Sequence, residues 1–138
     1  MTVKSIIEAF WQGHSTQDID ALKTIMSKDV TWTVVGKTCP IAKTYSGWDG
    51  FFGELLGGLG DAFKPGTLNM VVKGLYADED AGVGFLHLAE TATLHNGQIL
   101  DVELVDVFTV RDGKIVEVRE IMDLAAVNGA FGFAEVSA

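Results

Sequence analysis

Apolar residues recur at intervals of three and four at the start of the chain, at Val3, Ile6, Ile7, Phe10 and Trp11. That spacing predicts a short helix over 3–12, ended by the Gly13-His14-Ser15 that follows. Ser15 or Thr16 can cap a second helix whose buried stripe is Ile19, Leu22, Ile25 and Met26, with Asp18 and Asp20 in the first turn, where carboxylates complement the helix dipole. The period then falls to two. VTWTVV, residues 30–35, is a strand. From residue 67 the segments TLNMVVKGLY, GVGFLHLAETATLH, QILDVELVDVFTV and KIVEVREIMD are four more, separated by ADEDA, NG and RDG. Three helices and a short strand ahead of a four-strand antiparallel meander predict an α+β fold, with helices packed on one face of a curved sheet.

Between the two halves, GKTCPIAKTYSG breaks regular structure and leads into WDGFFGELLGGLGDAF, with Ser46 as the cap. This third helix carries six glycines between 47 and 60, each costing about 0.5–1 kcal/mol relative to alanine. Gly50, Gly53, Gly57 and Gly60 share one face; Trp48, Phe52, Leu55, Leu59 and Phe63 share another. Either the bare face makes room for a ligand or a close-packed sheet, or the helix is simply frayed. GGLG lacks the lysine-serine ending and the strand-to-helix setting of a phosphate loop. The tail LAAVNGAFGFAEVSA carries little information and is expected to be disordered or to pack on a partner chain.

The strand ELVDVFTV sets an acid, Asp106, among apolar neighbours, and the turns on either side predict where it points. Asn96-Gly97 as a two-residue turn pairs His95 with Gln98, Thr91 with Val102, Ala89 with Leu104 and His87 with Asp106. Arg111-Asp112-Gly113 as a three-residue loop pairs Val110 with Lys114 and Asp106 with Val118, leaving Glu120 diagonal to Asp106. One sheet face then carries His87, Thr91, Val102, Leu104, Asp106, Val118, Glu120 and Met122. The other mixes Glu103, Arg119 and Asp123 with Val105, Val107 and Ile121, a composition that suits a self-complementary homodimer surface.

Composition narrows the function. The 138 residues are the length of one domain, 1–138. Ten basic against nineteen acidic residues give a net charge of −9, which disfavours nucleic acid and anionic membrane as partners. MTVKSIIEAFWQGHST has no secretory-signal pattern, no apolar run reaches membrane-spanning length, and a cytoplasmic location is expected. Cys39 is the one cysteine, without a neighbouring base to activate it. No histidine-carboxylate cluster has metal-ligand spacing, so neither metal nor cofactor is expected.

HNGQILDVELVDVFTVRDGKIVEVREIMD resembles the closing strands of the NTF2-like, SnoaL-like superfamily, which includes ketosteroid isomerase and limonene epoxide hydrolase; DVTWTVVG, SGWDGFF and the paired N-terminal helices extend the likeness over most of the chain. The resemblance implies a cone of curved antiparallel sheet and three helices around a deep apolar pocket, commonly a homodimer. It places Asp106 where the isomerases keep a protonated aspartic acid that donates to an oxyanion, and Glu120 where the epoxide hydrolase keeps an aspartate that works with water. The isomerase tyrosine and base fall on Phe10 and Val34, and the arginine and second aspartate of the hydrolase have no counterparts in FLHLAETATL.

The expected site is therefore Asp106 as acid or oxyanion donor with either Glu120 or His87 as base. Its walls are expected from Phe10, Trp32, Val34, Tyr45, Phe52 and Leu55 of the helices and first strand, with Thr91, Val102, Leu104, Val118 and Met122 of the sheet. Which of Phe51 and Phe52 points inward is open. The function expected is a cofactor-independent isomerase, cyclase or hydrolase on a small apolar, polyketide-, steroid- or terpenoid-like molecule. The alternatives are a non-catalytic binding module, in which His87 and Asp106 merely satisfy one another, and a dimeric scaffold.

Overall fold

The computed structural model describes residues 1–133. Helix α1 spans Val3–Ser15 and α2 spans Ile19–Ile25. Thr2 caps α1 through Ser5 N, and Glu79, distant in sequence, accepts from Val3 N at 2.8 Å and Lys4 N at 3.2 Å. A carboxylate is well placed there, against the positive end of the helix. The cap of α2 is Asp18, which accepts from Ala21 N at 3.1 Å, and not Ser15 or Thr16. The chain reverses at Gln17 in a left-handed conformation (φ 56°), so the second helix begins only after it.

Six strands follow or interleave: β1 Met26–Val34, β2 Thr44–Ser46, β3 Asn69–Asp78, β4 Val83–Thr93, β5 Ile99–Arg111 and β6 Lys114–Met122. Their order in one sheet is β2-β1-β6-β5-β4-β3. The meander is antiparallel as expected, but β1 joins it parallel to β6, and β2 lies in a segment expected to be irregular. Helix α3 is π-helical over Asp49–Leu56 and α-helical over Gly57–Ala62. No helix among the described residues is long and apolar enough to cross a membrane.

The apolar stripes of α1 and α2 meet the inner sheet face. Phe10 packs edge-on to Phe108 at 5.0 Å and lies 5.8 Å from Trp32, ring centre to ring centre. Ile6, Ile7, Leu22, Leu86, Ile115 and Val118 are fully buried around them. Burying each such side chain contributes about 1.5–3 kcal/mol, and this layer fixes which sheet face is inner.

The two hairpins exchange the turn types expected of them. At the first, Gly97 N donates to Leu94 O and Leu94 N to Gln98 O, both at 2.9 Å. Only Gly97 is left-handed there (φ 85°), whereas a two-residue type I′ turn needs positive φ at both central residues. The loop thus has three residues, His95 to Gly97. Asn96 has other commitments: its Oδ1 accepts from Gln98 N and its Nδ2 donates to Ala130 O, both at 2.9 Å. At the second hairpin Asp112 (φ 52°) and Gly113 (φ 74°) are both left-handed, so they form the two-residue turn, with Arg111 opposite Lys114.

These turns correct the register. His87 pairs with Val105, Thr91 with Asp101, and Leu86 with Asp106. A slip of one residue turns every side chain of a strand to the other face. His87 and Thr91 therefore lie on the outer face, where His87 Nε2 meets Glu103 Oε2 at 3.0 Å. In the second hairpin a bulge between Thr109 and Val110 compensates, so the error is an even number of residues. Asp106 stays on the face of Glu120 and stands directly opposite it, not diagonal.

A fourth helix, α4, spans Leu124–Phe131, where a disordered or partner-packed tail was expected. Asp123 Oδ1 caps it, accepting from Ala125 N and Ala126 N, and Gly132 closes it in a left-handed conformation. Asn128 Nδ2 donates to Thr38 O at 2.7 Å, pinning the helix across the open end of the sheet. The rest of the tail, from residue 134, lies outside the described residues.

Candidate active site

Between the concave sheet face, α3 and α4 lies a cavity of about 440 Å³, within the range of small-molecule sites. Its floor comes from the sheet: Trp32 of β1, Met70 of β3, Leu88 and Glu90 of β4, Leu100, Leu104 and Asp106 of β5, and Glu120 and Met122 of β6. Helix α3 supplies Phe51, Phe52, Leu55 and Leu59, α4 supplies Val127 and Phe131, and His14 and Leu22 close the side. The walls are overwhelmingly apolar and aromatic.

Of the residues expected here, Asp106, Glu120, Trp32, Phe52, Leu55, Leu104 and Met122 do line the cavity. Phe10, Val34, Tyr45, Val102 and Val118 are buried but belong to the core behind the wall. Tyr45 is turned away, its hydroxyl donating to Ile41 O at 2.8 Å. His87 and Thr91 are excluded by the register. Phe51 and Phe52 both face inward: Phe51 stacks on Trp32 at 4.5 Å, and Phe52 sits edge-on to Phe51. The glycines of α3 divide. Gly57 and Gly60 leave the cavity wall bare. Gly50 lies against Tyr45, so close that a Cβ would come 2.9 Å from its carbonyl carbon.

The residue that turn chemistry concealed is Glu90. The signal for it was present in β4 itself, where Leu86, Leu88, Ala92 and Leu94 alternate and are all buried. Glu90 shares their parity. Taking the strand's own alternation above the turn's would have placed Glu90 inside and His87 outside.

Three carboxyl groups thus share one apolar enclosure. Burial pushes the Asp106 carboxyl well above the usual 3.8, reinforced by the charge of Glu120, its hydrogen bonding and the charge of Glu90. Burial raises Glu120 as well, opposed by contacts from Asp106 and Trp32 that favour its ionised form. Glu90 is pushed up to about 7, first by burial and then by Glu120. Glu90 and Glu120 keep some accessible surface, but it is turned to the cavity and not to bulk water. Two carboxylates opposite one another cannot both ionise cheaply, and the pair retains a proton. Among the described residues Asp106 Oδ1 and Trp32 Nε1 are buried without a hydrogen-bond partner, although the indole N–H is near enough to Glu120 to favour its ionised form. His14, lowered to about 4 by burial, is neutral. The arrangement supplies a protonated acid beside a group able to accept a proton, in a medium of low polarity.

Residues 7–118 match the SnoaL-like domain family. No curated protein sequence matches. Among solved structures, an NTF2-like protein of Burkholderia thailandensis superposes with a TM-score of 0.84 at 19% identity, over 94% of this chain and 97% of that one. Bal32a, from a soil-derived mobile gene cassette, gives 0.81 at 22% identity, over 94% and 95%. TerC, co-crystallised with polyporic acid, gives 0.77 at 20% identity, over 93% and 96%. These likenesses are likenesses of fold. With residues 7–118 matched to the family and the six-strand sheet and helices in place, the chain belongs to the SnoaL-like domain family and has an NTF2-like fold.

Proposed function

We propose that the protein is a cofactor-independent acid/base enzyme, an isomerase, cyclase or hydrolase, acting on a small lipophilic molecule in the cavity. The observation that carries this is the Asp106–Glu120 pair, directly opposed across two strands in an apolar enclosure, with an Asp106 oxygen that no group among the described residues satisfies. A buried polar atom left open costs about 1–3 kcal/mol, and a substrate oxygen or nitrogen is what this one lacks. Asp106 serves as the acid or donor. Glu120, aided by Glu90, is the base, since His87 lies across the sheet. TerC's co-crystallisation with polyporic acid supports this fold as a holder of small molecules.

The second reading is a non-catalytic binding module. It is favoured by Phe10 and Val34, which fill with core the positions where the isomerase-like relatives keep a tyrosine and a base. The test starts with native mass spectrometry of the purified protein to identify the molecule it carries, followed by assays of its conversion. An enzyme loses turnover on Asp106→Asn with little loss of affinity; a binder has no turnover to lose and responds to Met122→Ala.

The outer sheet face is proposed as the homodimer surface. Tyr76, Phe85 and Ile121 are 65%, 45% and 51% exposed there, an unusual display of large apolar groups for a monomer. Sedimentation of the wild type as a dimer and of Ile121→Glu as a monomer is expected, and a monomeric wild type would refute it.

A further inference from the structure

The cavity is acidic in a way that the proposed chemistry alone does not require. Glu90, Asp106 and Glu120 line it, and among its lining residues there is no lysine or arginine, while His14 is neutral. A single acid/base pair would have served for proton transfer. Glu90 lies four residues along β4 from Leu86, the partner of Asp106; that is roughly 13 Å along the strand, and its charge still reaches the pair across the concave wall. Among the described residues no cation pairs with these groups: Asp106 Oδ1 has no partner there, and Asp106 is 2% exposed.

Beside the pair, Trp32 and Phe51 line the cavity, stacked on one another at 4.5 Å, and give the site an apolar wall. An ammonium group has up to three N–H donors and accepts nothing. It can donate to Asp106 and Glu120 together while the apolar part of its molecule packs on that wall. A carboxylate ligand seated there would find only the shared proton of the pair and the Trp32 indole N–H to donate to it, against the charge of three acidic groups.

We infer that the cavity selects a lipophilic amine, a ligand with an apolar ring or chain and one basic nitrogen seated at Asp106 and Glu120 against Trp32, and rejects lipophilic carboxylates. The inference rests on the proposal that the cavity is the substrate site, and it names the substrate class. Glu90 contributes a field along the wall that favours positive charge.

Three matched probes decide it: 2-naphthylmethylamine, 2-naphthylmethanol and 2-naphthoate, titrated calorimetrically into the full chain at pH 7.5. The amine is expected to bind at least tenfold tighter than the alcohol, with no detectable binding of the carboxylate. Glu120→Gln and Glu90→Gln should each shrink the amine-to-alcohol affinity ratio. Equal or tighter binding of the alcohol overturns the amine assignment and leaves the cavity as a ligand site. Tight binding of the carboxylate overturns it as well. Binding of none of the three overturns both the assignment and the reading of the cavity on which it rests. The wild-type comparison alone is decisive, so a variant that failed to fold would not rescue the inference.

Discussion

Replacing Glu90 by glutamine should stabilise the protein, and by an amount that depends on pH. Burial in the cavity lifts Glu90 from 4.5 to about 7, so the folded state holds a proton that the unfolded chain gives up. Between those two values the folded state binds more protons, and stability therefore falls as pH rises through the window. At about 1.4 kcal/mol per pH unit, the full cost of ionising the folded group is about 3 kcal/mol. Nearly all of it is present at pH 8, and less than about 1 kcal/mol remains at pH 5. Glu90→Gln removes the ionisable group and keeps its shape. Urea unfolding of both proteins at the two pH values should show a gain of about 3 kcal/mol at pH 8 and under about 1 kcal/mol at pH 5. A gain of the same size at both would mean that Glu90 titrates like a solvated glutamate. The low polarity of the cavity, and with it the case for a proton held between Asp106 and Glu120, would then fail.

Two further outcomes probe the register and the third helix. His87→Ala should leave cavity binding of the naphthyl probes unchanged by calorimetry, because the ring lies on the outer face with Glu103; a tenfold loss would contradict the strand register. Gly50→Ala should destabilise the fold by about 1–3 kcal/mol, since its Cβ would press on Tyr45 backbone that cannot swing aside. Gly53→Ala, which meets nothing within 4 Å, should be neutral or stabilising by about 0.5–1 kcal/mol, and thermal melts would separate the two. Equal effects would mean that the glycines of α3 are interchangeable.

What could be read from the chain and what could not follows a physical line. Helices α1 and α2 and the meander were legible because their apolar periods are long and regular, and tertiary packing agrees with them. The positions of Asp106 and Glu120 on one face survived a misassigned turn because the bulge after Thr109 made the error even. His87 did not survive, because the error at Asn96-Gly97 was a single residue and parity is unforgiving in a strand. That turn could not be typed locally: the Asn96 side chain is held by Ala130 of α4, a contact between segments far apart in sequence. Helix α4 itself was hidden by its composition, small residues with little amphipathic contrast, though Asp123 and Gly132 marked its two ends. Glu90 shows the converse. Its strand marks it by alternation, while the Asn96-Gly97 turn motif points to the opposite face.

One proton, shared between Asp106 and Glu120, is central to the proposed chemistry. The most direct measurement is the ¹³C chemical shift of the Asp106 and Glu120 carboxyl carbons, followed by NMR from pH 4 to pH 8. Buried opposite one another and raised by that burial, the two should still hold one proton between them at pH 7. If both carboxyls instead become fully ionised by about pH 5, as solvated carboxylates do, the cavity holds no acid and the proposed chemistry has no donor.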